Sequence, residues 1–369
     1  MNKSVYAIAT IAGTIIGVGL FSLPYITLKV GIPVMLFYFL ILGFLVTVIH
    51  LFFGEIALQT PDYKRLPGFA KIHLGGWAEK VSLVSTILGL FGALLAYLIV
   101  GGEFLKGLLF PFFGGSSVLY VLLYFFIGSL LIFLGIKAVA KIQFWGMLLF
   151  LIILALIFFK GKGLIDVDNL LFSFGRGNFK DFFLPYGPTL FSLWGVTLIP
   201  EAEEMVLDRK QLLKKIIVIS TLIPVLVYLF FIFLVLGITG SQTTESGLTG
   251  LVNFLGSGAV RLGFLFGLLT TFTSFIAFGL TLKKVFSYDL KIKKEFAWAL
   301  TCFVPLILFF LGIKQFIPVI SFVGGVMLGV DGILILLMYH KIKKKPLLVY
   351  PLILIFVLGI IYEIIYFLK

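Results

Sequence analysis

The chain has 369 residues, of which 61% are hydrophobic and only 12% are charged. Because no soluble domain can bury so large an apolar share, the composition predicts a polytopic membrane protein and excludes a soluble fold. The net charge of +13 would otherwise suggest a nucleic-acid partner, but nucleic-acid binding needs a soluble basic face, and we expect none here.

Hydropathy predicts eleven membrane spans, each with an apolar run long enough to cross a bilayer. The spans lie at about 5–29, 32–58, 79–104, 116–136, 139–160, 182–207, 214–238, 258–282, 296–313, 316–339 and 347–368. If the N-terminus lies in the cytoplasm, 20 of the 29 lysine and arginine residues fall in the inner segments. The positive-inside rule therefore predicts a multi-pass protein of the cytoplasmic membrane, with its N-terminus cytoplasmic and its C-terminus outside.

The first span, residues 5–29, interrupts its own helix. It carries Gly13, Gly17 and Gly19 in its middle and Pro24 beyond them, and these residue types weaken a helix. Unpaired backbone groups are tolerated at membrane depth only where they are buried in protein or line a cavity. The gap therefore predicts a ligand site whose free N–H groups face an anion. The alternative is close helix packing, because the glycine spacing also marks helix–helix contacts.

The order of these residues, G-T-I-I-G-V-G-L-F-S-L-P, resembles the first-helix motif of amino-acid permeases of the amino acid–polyamine–organocation superfamily. It is most similar to the aromatic and hydroxy amino-acid permeases and to the auxiliary amino-acid permeases. The R-L-P-G-F segment after span 2 is similar to the auxiliary group as well. The resemblance implies a LeuT-type fold and a secondary transporter, and it names no particular substrate.

Spans 3 to 5 are predicted to carry little chemistry, and span 6 is the second span that interrupts its helix. Gly195 and Pro200 break its middle, and Ser192 and Thr197 lie close by. When the two halves of a transporter each carry an interrupted span at the corresponding position, these spans are the best indication in the sequence of the binding site. Span 6 comes five spans after span 1 and has the opposite orientation, so the two spans indicate an inverted repeat of spans 1–5 and 6–10.

The predicted fold is therefore an all-α membrane protein with a LeuT-type 5+5 inverted repeat, broken helices 1 and 6, and an eleventh helix. It forms a single transporter domain, residues 1–369. Its parts are repeat 1 at about 5–160, repeat 2 at about 182–339 and the extra helix at 347–368.

The two breaks are predicted to hold the two charges of an amino acid. We expect its carboxylate on the backbone N–H groups of the first break and its ammonium on carbonyls of the second, with half-helix dipoles supplying the recognition. Phe191 and Trp194 are the candidate walls of the side-chain pocket. The predicted substrate-binding residues are Gly13, Thr14, Ile15, Gly17, Gly19, Phe191, Ser192, Leu193, Trp194 and Gly195.

Span 8 carries hydroxyl groups on one helical face, at Thr270, Thr273 and Ser274. They offer neutral oxygen ligands for a small hard cation. In the LeuT-type fold a sodium site joins such hydroxyls to carbonyls of broken helix 1, and here these would be the carbonyls of Gly13 and Ile16. The alternative is that the hydroxyls donate to carbonyls of their own helix, as is common in membranes.

Asp331, in span 10, carries a carboxyl group at membrane depth. Ionisable residues in membrane spans are rare and usually have a function. We predict that it carries a proton. The bacterial aromatic and hydroxy amino-acid permeases are typically proton-coupled, so the resemblance favours protons over Na⁺, and no cofactor is expected. His50 is predicted to be a satisfied internal histidine, and Lys141 lies too shallow to replace a sodium ion.

The predicted function is a secondary active permease that moves a neutral amino acid, aromatic or hydroxy by resemblance, by alternating access coupled to H⁺ or Na⁺. The alternative is an ion channel or a passive pore for a small solute, which would favour rings of like polar residues. An enzyme is not expected, because three scattered histidines and one cysteine, Cys302, make no catalytic cluster. The oligomeric state is left open.

Overall fold

The computed structural model describes residues 3–60, 64–135, 139–175 and 181–368. Its α-helices, in chain order, are α1 (Lys3–Ile15), α2 (Gly19–Val30), α3 (Ile32–Gln59), α4 (Leu66–Leu74), α5 (Gly76–Phe113), α6 (Ser117–Leu134), α7 (Val139–Gly161), α8 (Val167–Gly175), α9 (Tyr186–Leu193), α10 (Ile199–Met205), α11 (Leu213–Thr239), α12 (Val252–Lys284), α13 (Lys294–Phe310), α14 (Phe316–Phe322), α15 (Gly329–Lys343) and α16 (Pro346–Leu368).

Within the described ranges, eight helices are long and apolar enough to cross a membrane, and the bent pair α1–α2 makes a ninth span. The other two predicted spans are present as shorter helices. Span 6 consists of α9 and α10, and span 9 is α13, which has 17 residues. The all-helical architecture predicted from hydropathy is confirmed.

The first break lies at residues 16–18, between α1 and α2, whose axes meet at 49°. There the Gly17 N–H donates to the Ile15 carbonyl at 2.7 Å, two residues back instead of the four of an α-helix. The i-to-i−4 ladder is thus interrupted at the glycine, as predicted, and the second half-helix starts at Gly19.

The second break lies at Trp194 and Gly195, between α9 and a 3-10 turn at Val196–Leu198 that leads into α10. Trp194 is extended, with φ −79° and ψ 118°. The prediction that Pro200 interrupts this span is wrong. Pro200 lies in the first turn of α10, where the missing proline N–H costs nothing because first-turn N–H groups have no helical partner.

Span 10 contains an irregularity that hydropathy does not reveal. Between α14 and α15 the chain forms a π-helical turn at Val323–Leu328, called the π segment below. A Cβ atom on Gly324 would come within 1.9 Å of the Gly187 carbonyl oxygen of α9. The glycine therefore lets the π segment touch the first half of span 6. Such wide turns occur often at functional sites.

The helix α4 lies between spans 2 and 3 and packs against α5 and α15. Its Phe69 is buried, whereas Ile72 is exposed, as in an amphipathic helix that lies at a membrane interface. His73 is half-buried, with its Nε2 atom 3.0 Å from the Thr60 hydroxyl. Burial, followed by the positive charge of Lys341, lowers the pKa of His73, so this side chain is neutral at physiological pH.

Candidate functional site

The two breaks touch each other near the middle of the molecule. A Cβ atom on Gly19, the first residue of α2, would lie 2.3 Å from the Ser192 hydroxyl and 3.0 Å from its Cα atom. A Cβ atom on Gly195 would lie 2.8 Å from the side chain of Ile15. Both contacts depend on the absence of a side chain, so glycine allows each break to approach the other.

Tyr228 of α11 joins the two breaks. Its buried hydroxyl contacts the backbone carbonyl of Ile15, where α1 ends, and the carbonyl of Ser192, near the end of α9, at 2.7 Å. A phenol has one proton to donate, so the two carbonyls share it. This side chain therefore satisfies carbonyl groups that the breaks leave without helical partners.

His50 of α3 holds the second break from the other side. Its Nε2 atom accepts the backbone N–H of Gly195 at 3.0 Å, and its Nδ1 atom lies 3.1 Å from the hydroxyl of Thr221. That hydroxyl donates to the Ile217 carbonyl at 3.0 Å. The network therefore assigns the proton to Nδ1 and leaves the ring neutral. His50 is a satisfied internal histidine, and it also fixes the break.

A cavity of about 890 Å³, including its open mouth, adjoins both breaks. Seven of the ten predicted substrate-binding residues line it: Thr14, Ile15, Gly17, Gly19, Phe191, Ser192 and Trp194. The other three do not: Gly13 is half-buried within α1, Leu193 is fully buried, and the Gly195 N–H is bonded to His50. The wall opposite the breaks is formed by α5 and by the inner part of span 10.

Tyr97 of α5 closes this opposite wall at the depth of the first break. A Cβ atom on Gly17 would lie 2.3 Å from the Tyr97 hydroxyl, which also faces the Val18 backbone N–H and the side chain of Ser274. Sequence reasoning missed Tyr97 and Tyr228. The signal for Tyr97 was present, because Ser82, Ser85, Gly89, Ala93 and Tyr97 recur at helical spacing in a span expected to carry little chemistry.

Two of the three span 8 hydroxyls bond to their own helix. Thr270 donates to the Gly267 carbonyl at 3.0 Å, and Thr273 donates to the Thr270 carbonyl at 3.1 Å. Ser274 differs, because its buried hydroxyl has no hydrogen-bond partner among the described residues. Of the predicted ion-coupling set on this helix, Ser274 is the member that faces Tyr97 and, through it, the first break. The side chain of Ile16 is buried at that break.

Asp331 lies on the cavity wall but away from the breaks. Its carboxylate accepts the Ser85 hydroxyl of α5, and the neighbouring buried hydroxyls of Ser82 and Thr86 have no hydrogen-bond partner in the described chain. Ser85 precedes Tyr97 by 12 residues, which corresponds to about 18 Å along an α-helix. Asp331 therefore belongs to the part of the cavity that leads towards the predicted inner end.

The cavity reaches that inner end, where Arg65 and Pro67 line it together with Pro200. We place its mouth there because the Arg65 side chain is partly exposed. The Arg65 guanidinium is 2.7 Å from the Glu201 carboxylate of α10. Both side chains are about a quarter exposed. This ion pair connects the segment before α4 to the second half of span 6. The side chain of Lys141 lies outside the described residues.

The opposite end of the cavity is closed by aromatic rings. Phe21 of α2 is fully buried, and its ring centroid lies 4.8 Å from that of Phe104, and 6.0 Å from those of Phe231 and Phe266. Beyond these rings the Ser246 hydroxyl donates to the Glu103 carboxylate at 3.0 Å. The breaks are thus sealed on the predicted outer side and continuous with a cavity on the predicted inner side.

Three comparisons with known proteins bear on the identity of the chain. The sequence model of the tryptophan/tyrosine permease family matches residues 1–365. The tyrosine-specific transport system 1 of Haemophilus influenzae is 30% identical over 143 residues, which are 39% of this chain. The match spans only 35% of that relative.

The third match is a solved nucleobase-cation-symport-1 family transporter in a closed conformation with bromovinylhydantoin bound. It has a TM-score of 0.67 and 13% identity over 90% of this chain and 76% of that chain. At so low an identity this likeness shows the fold alone, and it confirms the LeuT-type architecture predicted from the sequence.

Proposed function

Because the chain belongs to the tryptophan/tyrosine permease family, we propose that it moves tyrosine or tryptophan across the cytoplasmic membrane by proton-coupled alternating access. The coarser predictions are confirmed by the matches: the chain is a multi-pass amino-acid permease and not an enzyme. Its placement among the auxiliary permeases of the wider superfamily remains part of the proposal. The observation that carries the proposal is the cavity at two facing helix breaks.

The electrostatics of the breaks suit a zwitterion. The half-helix α2 begins at Gly19 and presents its partial positive charge there, whereas α1 and α9 end at Ile15 and Leu193 with partial negative charge. A carboxylate bound at the start of α2 would also reach the Tyr97 hydroxyl. An ammonium group would be held by the carbonyl ends. No arginine or aspartate is needed beside the substrate.

An aromatic side chain suits the cavity. Phe191 is half-buried and Trp194 lines the same wall, so two aromatic faces are available for stacking on the substrate ring. These walls support the choice of tyrosine or tryptophan over a small hydroxy amino acid.

A passive pore is the competing function, and one observation disfavours it. The Phe21 ring cluster blocks the path on the side of the breaks opposite the mouth. A cavity open towards one end is what alternating access requires, whereas a pore needs a continuous polar path. The cavity mouth on the lysine-rich side supports an inward-facing conformation.

The function is tested by uptake into proteoliposomes. We expect saturable counterflow of labelled tyrosine or tryptophan, and accumulation of the same amino acid under an imposed proton gradient. Absence of counterflow for both amino acids would overturn the proposed substrate class. Accumulation under a sodium gradient alone would instead assign coupling to Ser274, and its alanine variant would then lose the sodium dependence.

The proton carrier is tested by Asp331→Asn. Asparagine keeps the size and the Ser85 contact but cannot release a proton. We therefore expect the variant to retain counterflow while its uptake rate varies by less than about twofold between pH 5 and pH 8. The matched control is Asp168→Asn, which removes an exposed carboxylate at the start of α8 and should keep the wild-type pH profile. A pH profile retained in Asp331→Asn would exclude Asp331 as the carrier.

A further inference from the structure

Another buried carboxyl lies on the helix outside the two repeats. Glu363 of α16 is only 1% exposed although it lies five residues from the end of the chain's last helix. An ionisable group buried at membrane depth is costly to keep and is usually functional. Neither the hydropathy of this span nor its position outside the repeats indicated a role for it.

Glu363 is held at a junction of three helices. A Cβ atom on Gly187 of α9 would lie 2.5 Å from its Oε1 atom, and one on Gly325 of the π segment would lie 2.1 Å from its Cγ atom. The Gly187 backbone N–H faces the carboxyl group. This N–H belongs to the first turn of α9, whose donors have no helical partner. Glu363 therefore ties the first half of span 6 to the extra helix.

Among the residues that the structure describes, no cation balances this carboxyl group. No lysine, arginine or histidine of the described ranges has a nitrogen atom within 4.0 Å of it. The titratable groups around it are acids and phenols: Tyr38 from α3, Tyr186 from α9, Tyr362 from its own helix, and Asp181, which interacts with Tyr362. The neighbouring carbonyl of Ser321, from α14, lies against Gly187.

Two buried polar atoms at this junction lack partners. The Oε2 atom of Glu363 and the hydroxyl of Tyr186 have no hydrogen bond within the described chain. An ionised carboxylate that is buried without a cation is strongly disfavoured relative to the neutral acid. A proton on Oε2 removes the charge and turns that atom into a donor, while Oε1 keeps its contact with Gly187.

We propose that Glu363 is the outer proton-binding site of the transporter, and that its protonation loosens the hold of α16 on α9. A proton taken from the outer water would form the O–H bond of the acid, and it would leave when the carboxylate forms again. A carboxylate accepts the Gly187 N–H more strongly than a neutral acid does. Protonation therefore weakens the tie that keeps α9 against the π segment.

The position of Glu363 complements that of Asp331. Asp331 belongs to span 10, and Glu363 contacts the same span at Gly325, which precedes Asp331 by six residues, about 9 Å along a helix. Asp331 faces the cavity that opens at the predicted inner end, whereas Glu363 lies near the predicted outer end. One acid on each side of the breaks is the arrangement that alternating proton access needs. This step rests on the proposed proton coupling.

Protonation is tested without transport by infrared spectroscopy of the reconstituted protein. The wild type should show the carbonyl band of a buried protonated carboxylic acid at neutral pH, and Glu363→Gln should lose part of that band. Glu295→Gln is the matched control, because Glu295 is exposed at the start of α13, and it should leave the band unchanged. A band of equal intensity in Glu363→Gln and the wild type would overturn the proposal.

Coupling is tested in proteoliposomes with the same variants. Glutamine mimics the permanently neutral acid, so Glu363→Gln should keep counterflow within about twofold of the wild type while proton-driven accumulation falls by about tenfold or more. Unchanged accumulation would overturn the coupling role. If the wild type itself shows no counterflow, the proposed function fails, and the infrared result still decides the protonation of Glu363. Glu363→Asp, which retains an acid, checks that any loss is not caused by misfolding.

Discussion

Gly19→Ala is expected to reduce the uptake rate by about 10- to 100-fold while the protein still folds in membranes. The added methyl group would lie 2.3 Å from the Ser192 hydroxyl and 3.0 Å from both its Cα and Cβ atoms. The Cα atom belongs to the backbone and cannot rotate away, so α2 and α9 must separate. Such overpacking costs about 1–3 kcal/mol, and each 1.4 kcal/mol corresponds to about tenfold in rate or affinity.

The measurement is initial uptake into proteoliposomes, with Gly43→Ala as the matched control. Gly43 lies in the transmembrane helix α3, and a methyl group there would meet its nearest neighbour, a methyl carbon of Val225, at an ordinary 3.9 Å. Gly43→Ala should therefore transport like the wild type. Equal uptake in Gly19→Ala and Gly43→Ala would show that the close contact between the two breaks is not part of the transport site. Thermal unfolding of both variants separates a local effect from general instability.

Tyr228→Phe is expected to lower the uptake rate by about tenfold or more. The substitution keeps the ring packing but removes the hydroxyl that the Ile15 and Ser192 carbonyls share. The Ser192 carbonyl would be left without a donor, and leaving a buried acceptor without a partner costs about 1–3 kcal/mol. The Ile15 carbonyl keeps the Gly17 N–H but loses its link to α11. Loss of the Tyr228 hydroxyl affects both breaks at once. It therefore alters the backbone geometry that would hold the substrate.

Counterflow and substrate-dependent thermal stabilisation measure this second effect. Tyr288→Phe is the control, because Tyr288 is 70% exposed and its hydroxyl should be dispensable. We expect Tyr228→Phe to bind substrate more weakly while its melting temperature without substrate changes little. An unchanged affinity in Tyr228→Phe would mean that the two carbonyls find another donor and that the hydroxyl does not organise the site.

The location of the first break was readable from the chain because glycine leaves a local signature. The motif from Gly13 to Pro24 predicted a gap around residues 14–19, and the helices end and restart at Ile15 and Gly19. The predicted second break extended too far along the chain, as far as Pro200. Pro200 was read as an interruption, but its fixed φ and missing N–H suit the start of α10. The sequence shows which residues weaken a helix, not which side of the break each one occupies.

The groups that hold the breaks were harder to find. Tyr228 contacts Ile15 across 213 residues, and His50 contacts Gly195 across 145. In a soluble helix an apolar stripe marks the side that faces the core. In a membrane the lipid is as apolar as the core, so α11 and α16 are hydrophobic all round and their inward faces leave no periodic signal.

By itself, then, the sequence determined the properties that depend on local chemistry: the apolar spans, the broken helices and, through a motif of twelve residues, the permease architecture. The tertiary structure decided which polar side chains face the breaks, that Ser274 and not Thr270 or Thr273 has an unpartnered hydroxyl, and that Glu363 of the extra helix meets α9. The physical reason is that a buried polar group is defined by its partners, and here those partners come from helices far apart in the chain.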